Sequence, residues 1–215
     1  MYEKQRRVVT RSGRGVRGYF PSLKTKRAIP FESLLERDAI LLFEFTPAVI
    51  TYREYQQREI YYDGTKPRDY YPDFLLELSN ERSVLVEVKP YSELQRPRIK
   101  TKFAAIAQHF HHVNRWFRIL TDQEIRRQPY LDNLTRLAYY KRQFSYESLH
   151  VLALERLRQE QPVPLRKCVD DFGGERVVLC LIANEVLRVD MNKHLTSETP
   201  VYINEGGYQN DAIQF

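Results

Sequence analysis

Two short hydrophobic runs on either side of Ser79-Asn80-Glu81 constrain this chain more than any other feature. Tyr70-Tyr71-Pro72-Asp73-Phe74 leads into the first, and Ser83-Val84-Leu85-Val86-Glu87-Val88-Lys89 runs back. A hairpin centred on Asn80 sets Asp73 opposite Glu87, because the two are equidistant from the turn. Opposed residues on antiparallel strands share a face, with Cβ atoms roughly 5 Å apart. Lys89, two residues beyond Glu87, belongs to the same face. The other face carries Phe74, Leu76, Leu78, Val84, Val86 and Val88. Two carboxylates and an ammonium thus converge at the end of a strand pair. That constellation suits a divalent cation held beside a phosphate, and so nuclease chemistry.

An exposed cross-strand salt bridge would use the same three residue types and is common. Two details point away from it. Pro72 denies the strand ladder a donor just before Asp73, which is usual only near an edge or an irregularity. The charged trio also sits in valine-rich strand, where solvent-facing positions more often carry Thr and Ser.

The net charge of +6 is unevenly placed. Residues 1–30 hold nine basic side chains (Lys4, Arg6, Arg7, Arg11, Arg14, Arg17, Lys24, Lys26 and Arg27) against one acid, Glu3. Gly13, Gly15 and Gly18 interleave the arginines, so residues 1–29 read as a flexible arm that exchanges counterions for phosphate contacts. A second basic cluster, Arg96, Arg98, Lys100 and Lys102, lies on the helix expected after the hairpin and reads equally as a DNA-facing surface or a solvated face. Cys168 and Cys180 lack metal-ligand spacing and read as buried thiols of a reducing compartment. The basic N-terminus has no apolar core of a signal peptide. Val177 to Ala183, the longest apolar run, is far short of the ~20 residues that span a bilayer. A soluble cytoplasmic protein without a membrane partner is expected.

Pro30 through Phe43 reads as a helix with Pro30 at its first position and Thr46-Pro47 as its stop. Strand-like pieces follow at Val49–Arg53 and Gln57–Tyr62, then the turn signal Asp63-Gly64 and the hairpin. Residues 92–112 look helical, with Phe103, Ile106, Ala107 and Phe110 on one side. A strand over Trp116–Leu120 and a helix over Tyr130–Arg142 complete an α/β domain spanning 30–143. From 145 to 204 the pattern gives three short helices, the breaker Gly173-Gly174 and a strand pair at Val186–Val189 and Pro200–Ile203. That is the outline of a winged helix, followed by a polar tail at 205–215. Seven basic against nine acidic residues in 145–204 make a poor footprint for duplex DNA.

A third carboxylate must come from elsewhere. Glu32 and Glu36 stand one turn apart on the expected first helix. Ser33-x-x-Glu36 is also a capping box, but a helix already begun at Pro30 would leave Glu36 free. His109, His111 and His112 lack companion ligands at metal spacing and fit the C-terminus of a helix.

Ser33-Leu34-Leu35-Glu36, Tyr52-Arg53-Glu54-Tyr55-Gln56, Tyr71-Pro72-Asp73-Phe74, Val86-Glu87-Val88-Lys89 and Leu120-Thr121-Asp122-Gln123-Glu124-Ile125-Arg126 together resemble the TnsA family in order and spacing. That family supplies endonuclease subunits of heteromeric cut-and-paste transposases. The resemblance implies a restriction-endonuclease-like PD-(D/E)XK core, a mixed sheet flanked by helices, followed by a winged helix that engages protein partners. It implies Mg²⁺, with Mn²⁺ able to substitute, held by Glu36, Asp73 and Glu87, and Lys89 as the catalytic lysine. The position of Glu87 varies between Glu and Gln in the family. Gln56 matches a family glutamine and is expected to make a structural hydrogen bond. The implied task is cutting 5′ strands at transposon ends, on the bacterial nucleoid. A DDE-type (TnsB-like) transposase and an AAA+ ATPase (TnsC-like) regulator are the implied partners. A solitary restriction or repair nuclease of this fold and a non-catalytic DNA-binding adaptor stand as the alternatives.

Overall fold

Nearly unbroken apolar sequence in two adjacent strands marks a sheet covered on both faces, and the central hairpin builds such a sheet. The computed structural model describes residues 16–143 and 151–206. The chain forms two compact units, the first reaching Arg126 and the second opening at Arg127.

The first unit begins with a hairpin of β1 (Gly18–Pro21) and β2 (Ala28–Phe31), then helix α1 (Leu34–Phe45) and strand β3 (Val49–Glu54). A two-stranded sheet of β4 (Glu59–Tyr62) and β5 (Pro67–Tyr70) precedes β6 (Phe74–Leu78) and β7 (Ser83–Val88). Helices α2 (Tyr91–Leu94) and α3 (Pro97–His112), strand β8 (Trp116–Leu120) and helix α4 (Asp122–Ile125) complete it. The main sheet has the order β3-β6-β7-β8; all its pairs are antiparallel except β7 with β8. A parallel neighbour needs a long crossover, and α2 and α3 occupy it.

The register pairs Phe74 with Val86, Leu75 with Leu85, Leu76 with Val84 and Glu77 with Ser83, which is the pairing centred on Asn80. Glu81 closes the turn at a φ of 63°. On one face Phe43 of α1 meets Tyr52 and Phe74 edge-on, each at 5.6 Å between ring centres. On the other face Leu75 and Leu85 pack with Phe103, Ile106 and Phe110 of α3 and with Tyr61 and Tyr70 of the smaller sheet. Fully burying one such side chain contributes about 1.5–3 kcal/mol, so both layers hold the sheet.

Three expectations about the first unit change. The helix begins at Leu34, not at Pro30, which lies in β2 opposite Tyr19. A strand with a single neighbour tolerates a missing N–H. Glu32 therefore precedes the helix and does not share a helical face with Glu36. Pro97 divides the expected helix over 92–112 into α2 and α3. The end of the basic arm is folded: β1 and β2 pair along Gly18–Pro21 and Ala28–Phe31. At Gly18 an added Cβ would come within 2.8 Å of Phe31 Cζ, so glycine there permits close strand approach.

The β1–β2 hairpin is fastened to the end of α1 by two charged groups. The Lys24 ammonium donates to the carbonyls of Phe43 (2.9 Å), Thr46 (2.5 Å) and Val49 (2.6 Å). It thereby caps the orphan carbonyls of a helix C-terminus. The buried Glu44 carboxylate accepts from Ser22 Oγ (2.8 Å), Tyr52 Oη (2.7 Å), Leu23 N (2.8 Å) and Lys24 N (3.1 Å).

The second unit contains α5 (Tyr130–Lys141), α6 (Val151–Glu160), β9 (Val163–Pro164), α7 (Leu165–Asp171), α8 (Glu175–Ala183), β10 (Leu187–Arg188) and β11 (Pro200–Ile203). Its strands order β10-β11-β9, and the two-residue β9 is an addition to the expected strand pair. Helix α5, expected to close the first domain near 143, lies against α8 within the second unit. Its Asn133 donates to the carbonyls of Met191 (3.0 Å) and Lys193 (2.8 Å). Cys168 and Cys180 are buried free thiols of this unit, and burial pushes the Cys168 thiol up to about 11. Among the described residues, no helix is long and apolar enough to cross a membrane.

Candidate active site

The chain leaves the small β4–β5 sheet at Tyr70 and enters the main sheet at Phe74. Pro72 sits in that break, where no ladder donor is needed. Asp73 is then fixed from both sides. Its N–H donates to Val86 O (3.0 Å) and its carbonyl accepts from Tyr55 N (2.9 Å). Its Oδ2 accepts from Val88 N at 2.8 Å. The acid is therefore wired to the residue that follows β3 and to β7 together, and has little freedom to wander.

Glu87 is the next-to-last residue of β7 and is only 5% exposed. Exposed ion pairs are the ones of small consequence, so the surface salt-bridge reading does not apply here. Lys89 Nζ lies 3.2 Å from Glu87 Oε1, and Tyr70 Oη donates to Glu87 Oε2 at 2.7 Å. Beyond β7 the backbone is tied to the β8–α4 junction. Lys89 N donates to Leu120 O at 3.0 Å and Tyr91 N to Asp122 Oδ1 at 2.6 Å.

Burial, then the Glu87 carboxylate, then that of Glu36 push the Asp73 carboxyl well above the usual carboxylate range. The Val88 N–H and the Lys89 ammonium pull the other way without prevailing. Burial works against the Lys89 ammonium, yet the Glu87 and Asp73 carboxylates hold its pKa above the ordinary lysine value. Like charges in a poorly solvated site disfavour ionisation, and at Asp73 one lysine does not offset them.

Glu36 is placed differently. Ser33 is the N-cap of α1, its Oγ accepting from Glu36 N at 3.1 Å. Glu36 Oε1 accepts from Ser33 Oγ (3.0 Å) and Oε2 from Glu32 N (2.7 Å). Ser33 thus serves as the N-cap, because the helix starts later than Pro30 suggested, and Glu36 reaches back past it to the N–H of Glu32. Glu36 still acts on Asp73 through its charge. Glu32 faces Arg17 at 3.9 Å, and Gln56 Nε2 donates to Glu54 at 3.4 Å.

Among the described residues, no three His, Cys, Asp or Glu side chains form a ready cage for a metal ion. Mg²⁺ nonetheless needs only one or two carboxylates from a protein and keeps its own waters. Asp73 and Glu87, hard oxygen donors, fit such an ion. His109, His111 and His112 occupy the last turn of α3, where cationic side chains favour the helix dipole.

Of the basic residues expected to face DNA, Arg6, Arg7, Arg11 and Arg14 lie outside the described residues. Lys24 is bonded to carbonyls at the end of α1 and at Val49, and Arg27 pairs bidentately with Glu54 at 3.1 and 2.8 Å. Arg17 faces Glu32, while Lys26 is exposed. On α3, Arg98 and Lys100 are exposed, as is Arg96 at its N-cap. The Lys102 ammonium stands 5.5 Å from the Tyr70 ring centre and 5.4 Å from that of Phe103.

Sequence reasoning missed Tyr70, whose phenol touches the Glu87 carboxylate, and Tyr55, whose backbone N–H holds the Asp73 carbonyl. Their one signal was position, since Tyr70 ends the strand just before Pro72-Asp73 and Tyr55 follows the strand that pairs with β6.

A mixed sheet flanked by helices, with two acids and a lysine at the ends of its central strands, fits a nuclease-like core. Residues 46–122 match the family model for the TnsA-like endonuclease N-terminal domain. Over that segment the chain is similar to TnsA-like endonucleases. The matched segment contains Asp73, Glu87 and Lys89 and begins after Glu36. No curated protein matches the chain.

Proposed function

We propose that this protein is the Mg²⁺-dependent DNA endonuclease subunit of a heteromeric transposase, cutting the 5′ strands at transposon ends. The observation that carries the reading is the convergence of Asp73, Glu87 and Lys89 inside the TnsA-like segment. Asp73 and Glu87 would hold the cation, with Glu36 as the third acid. Bound there, Mg²⁺ would supply a Lewis acid for the phosphoryl oxygens and a water of lowered pKa.

The chain's own groups do the rest. The backbone of Tyr55 and β7 orients Asp73, and the carboxylates keep Lys89 charged. From that position Lys89 donates to the attacking water or to negative charge growing on the phosphate, where a fixed donor counts most. Exposed Lys26, Arg96, Arg98 and Lys100 are the described candidates for backbone phosphates.

Partners would be a DDE-type transposase that cuts and joins the 3′ ends and an AAA+ ATPase that couples the pair to target choice, on the bacterial nucleoid. A winged helix in the second unit is supported by the succession α6, β9, α7, α8, β10, β11. The short first strand closing the three-stranded sheet supports it further.

End-labelled transposon-end DNA with the partner subunits and Mg²⁺ tests the assignment. Asp73→Ala or Lys89→Ala should lower 5′-strand cutting by about 10²–10³-fold or more and leave assembly on a mobility-shift gel intact. Undiminished cutting by either variant would overturn it.

A further inference from the structure

We propose that Tyr70 is a positioning residue: its phenol fixes which oxygen of Glu87 is presented to the cation and to Lys89. The proposal rests on the nuclease reading of Asp73, Glu87 and Lys89.

Tyr70 is buried at 5% exposure and ends β5, in the small sheet, while Glu87 belongs to the main sheet. The 2.7 Å bond from Tyr70 Oη to Glu87 Oε2 therefore crosses between two separately paired sheets. Oε1 of the same carboxylate meets the Lys89 ammonium at 3.2 Å. The bond to one oxygen restrains the plane of the carboxylate, so the other keeps its aim at Lys89.

The phenol is itself held. Rings of Tyr61 (6.3 Å), Phe103 (6.3 Å), Phe110 (6.2 Å) and Phe117 (6.0 Å) surround it, three of them edge-on. A phenylalanine would fill that space equally well, so packing does not account for the hydroxyl. Its partner is the Glu87 side chain of the acidic cluster and not a stray backbone carbonyl. A hydroxyl-to-carboxylate bond in a dry site is among the stronger hydrogen bonds available to a protein. Groups that orient a metal ligand from behind typically change affinity by about 10–100-fold when removed.

The test measures Mn²⁺ binding to the full chain by calorimetry and by loss of the free-ion paramagnetic resonance signal, without DNA. Tyr70→Phe should weaken Mn²⁺ by about 10–100-fold while the far-ultraviolet dichroism stays unchanged. In a Glu87→Ala background, where the phenol has no oxygen to aim, the same change should have no further effect. Wild-type affinity in Tyr70→Phe, or an equal loss in both backgrounds, would overturn the proposal. So would an equal loss in Tyr61→Phe, which alters the neighbouring ring without touching Glu87. Equal Mn²⁺ binding by wild type and Asp73→Ala is a separate result, one that would sink the underlying nuclease reading.

Discussion

Glu44 and Glu87 are both buried glutamates of the first unit, 3% and 5% exposed, yet their surroundings differ in kind. Glu44 accepts from two hydroxyls and two backbone N–H groups, and the neighbouring chain is built around it. Glu87 meets one phenol and one ammonium, with Asp73 close enough for each acid's charge to matter. A buried charge surrounded by donors stabilises a fold, whereas one set beside a like charge is the kind found at functional sites, the role proposed above for Glu87. Burial alone does not separate a structural acid from a working one. The donors around it do.

The largest expected effect that could break this contrast is at Glu44. Glu44→Ala strands four donors and should cost about 3 kcal/mol or more, since each buried unsatisfied group costs about 1–3 kcal/mol. Urea denaturation measures it, and a loss below about 1 kcal/mol would show that the donor set is not what holds the β1–β2 hairpin. Tyr52→Phe sharpens the comparison by removing one donor to Glu44, as Tyr70→Phe removes one from Glu87. It should cost about 1–2 kcal/mol and leave 5′-strand cutting unchanged, so impaired cutting would erase the distinction between the two tyrosines.

The smallest effect belongs to a half-buried acid, Asp63, in the β4–β5 turn. The Thr65 hydroxyl, then the Arg68 guanidinium, then the N–H groups of Lys66 and Thr65 hold its carboxyl below the usual aspartate range. A depressed acid stabilises the fold above its unfolded-state pKa, and that contribution is lost as pH falls through the folded value. The stability difference between wild type and Asp63→Asn should therefore be constant from neutral pH down to about 5 and shrink in stronger acid. A carboxyl NMR titration that finds Asp63 at the ordinary aspartate value would contradict it.

The hairpin register and the meeting of Asp73, Glu87 and Lys89 could be read from the sequence, because a turn centre and a period of two determine which residues oppose each other. The start of α1 could not. Pro30 and Ser33 gave rival signals, and the decision lay with Tyr19 pairing across to Pro30, a contact invisible to local reasoning. The described end of the arm differs in the same way: Gly18 reads as a source of mobility, yet it is small so that Phe31 can approach. Lys24 and Arg27 were counted as free charge because nothing in the sequence shows their distant partners, the carbonyls ending α1 and the Glu54 carboxylate. The boundary near 143 failed because α5 is amphipathic wherever it docks.

The parallel join of β7 to β8 also sets an order of events. The β6–β7 turn needs only nearby chain and closes within microseconds, whereas β8 must wait until the whole intervening stretch has been laid across the sheet. A newly made molecule thus brings its two acids face to face while water still screens them. Their antagonism begins only when the crossover shuts the water out.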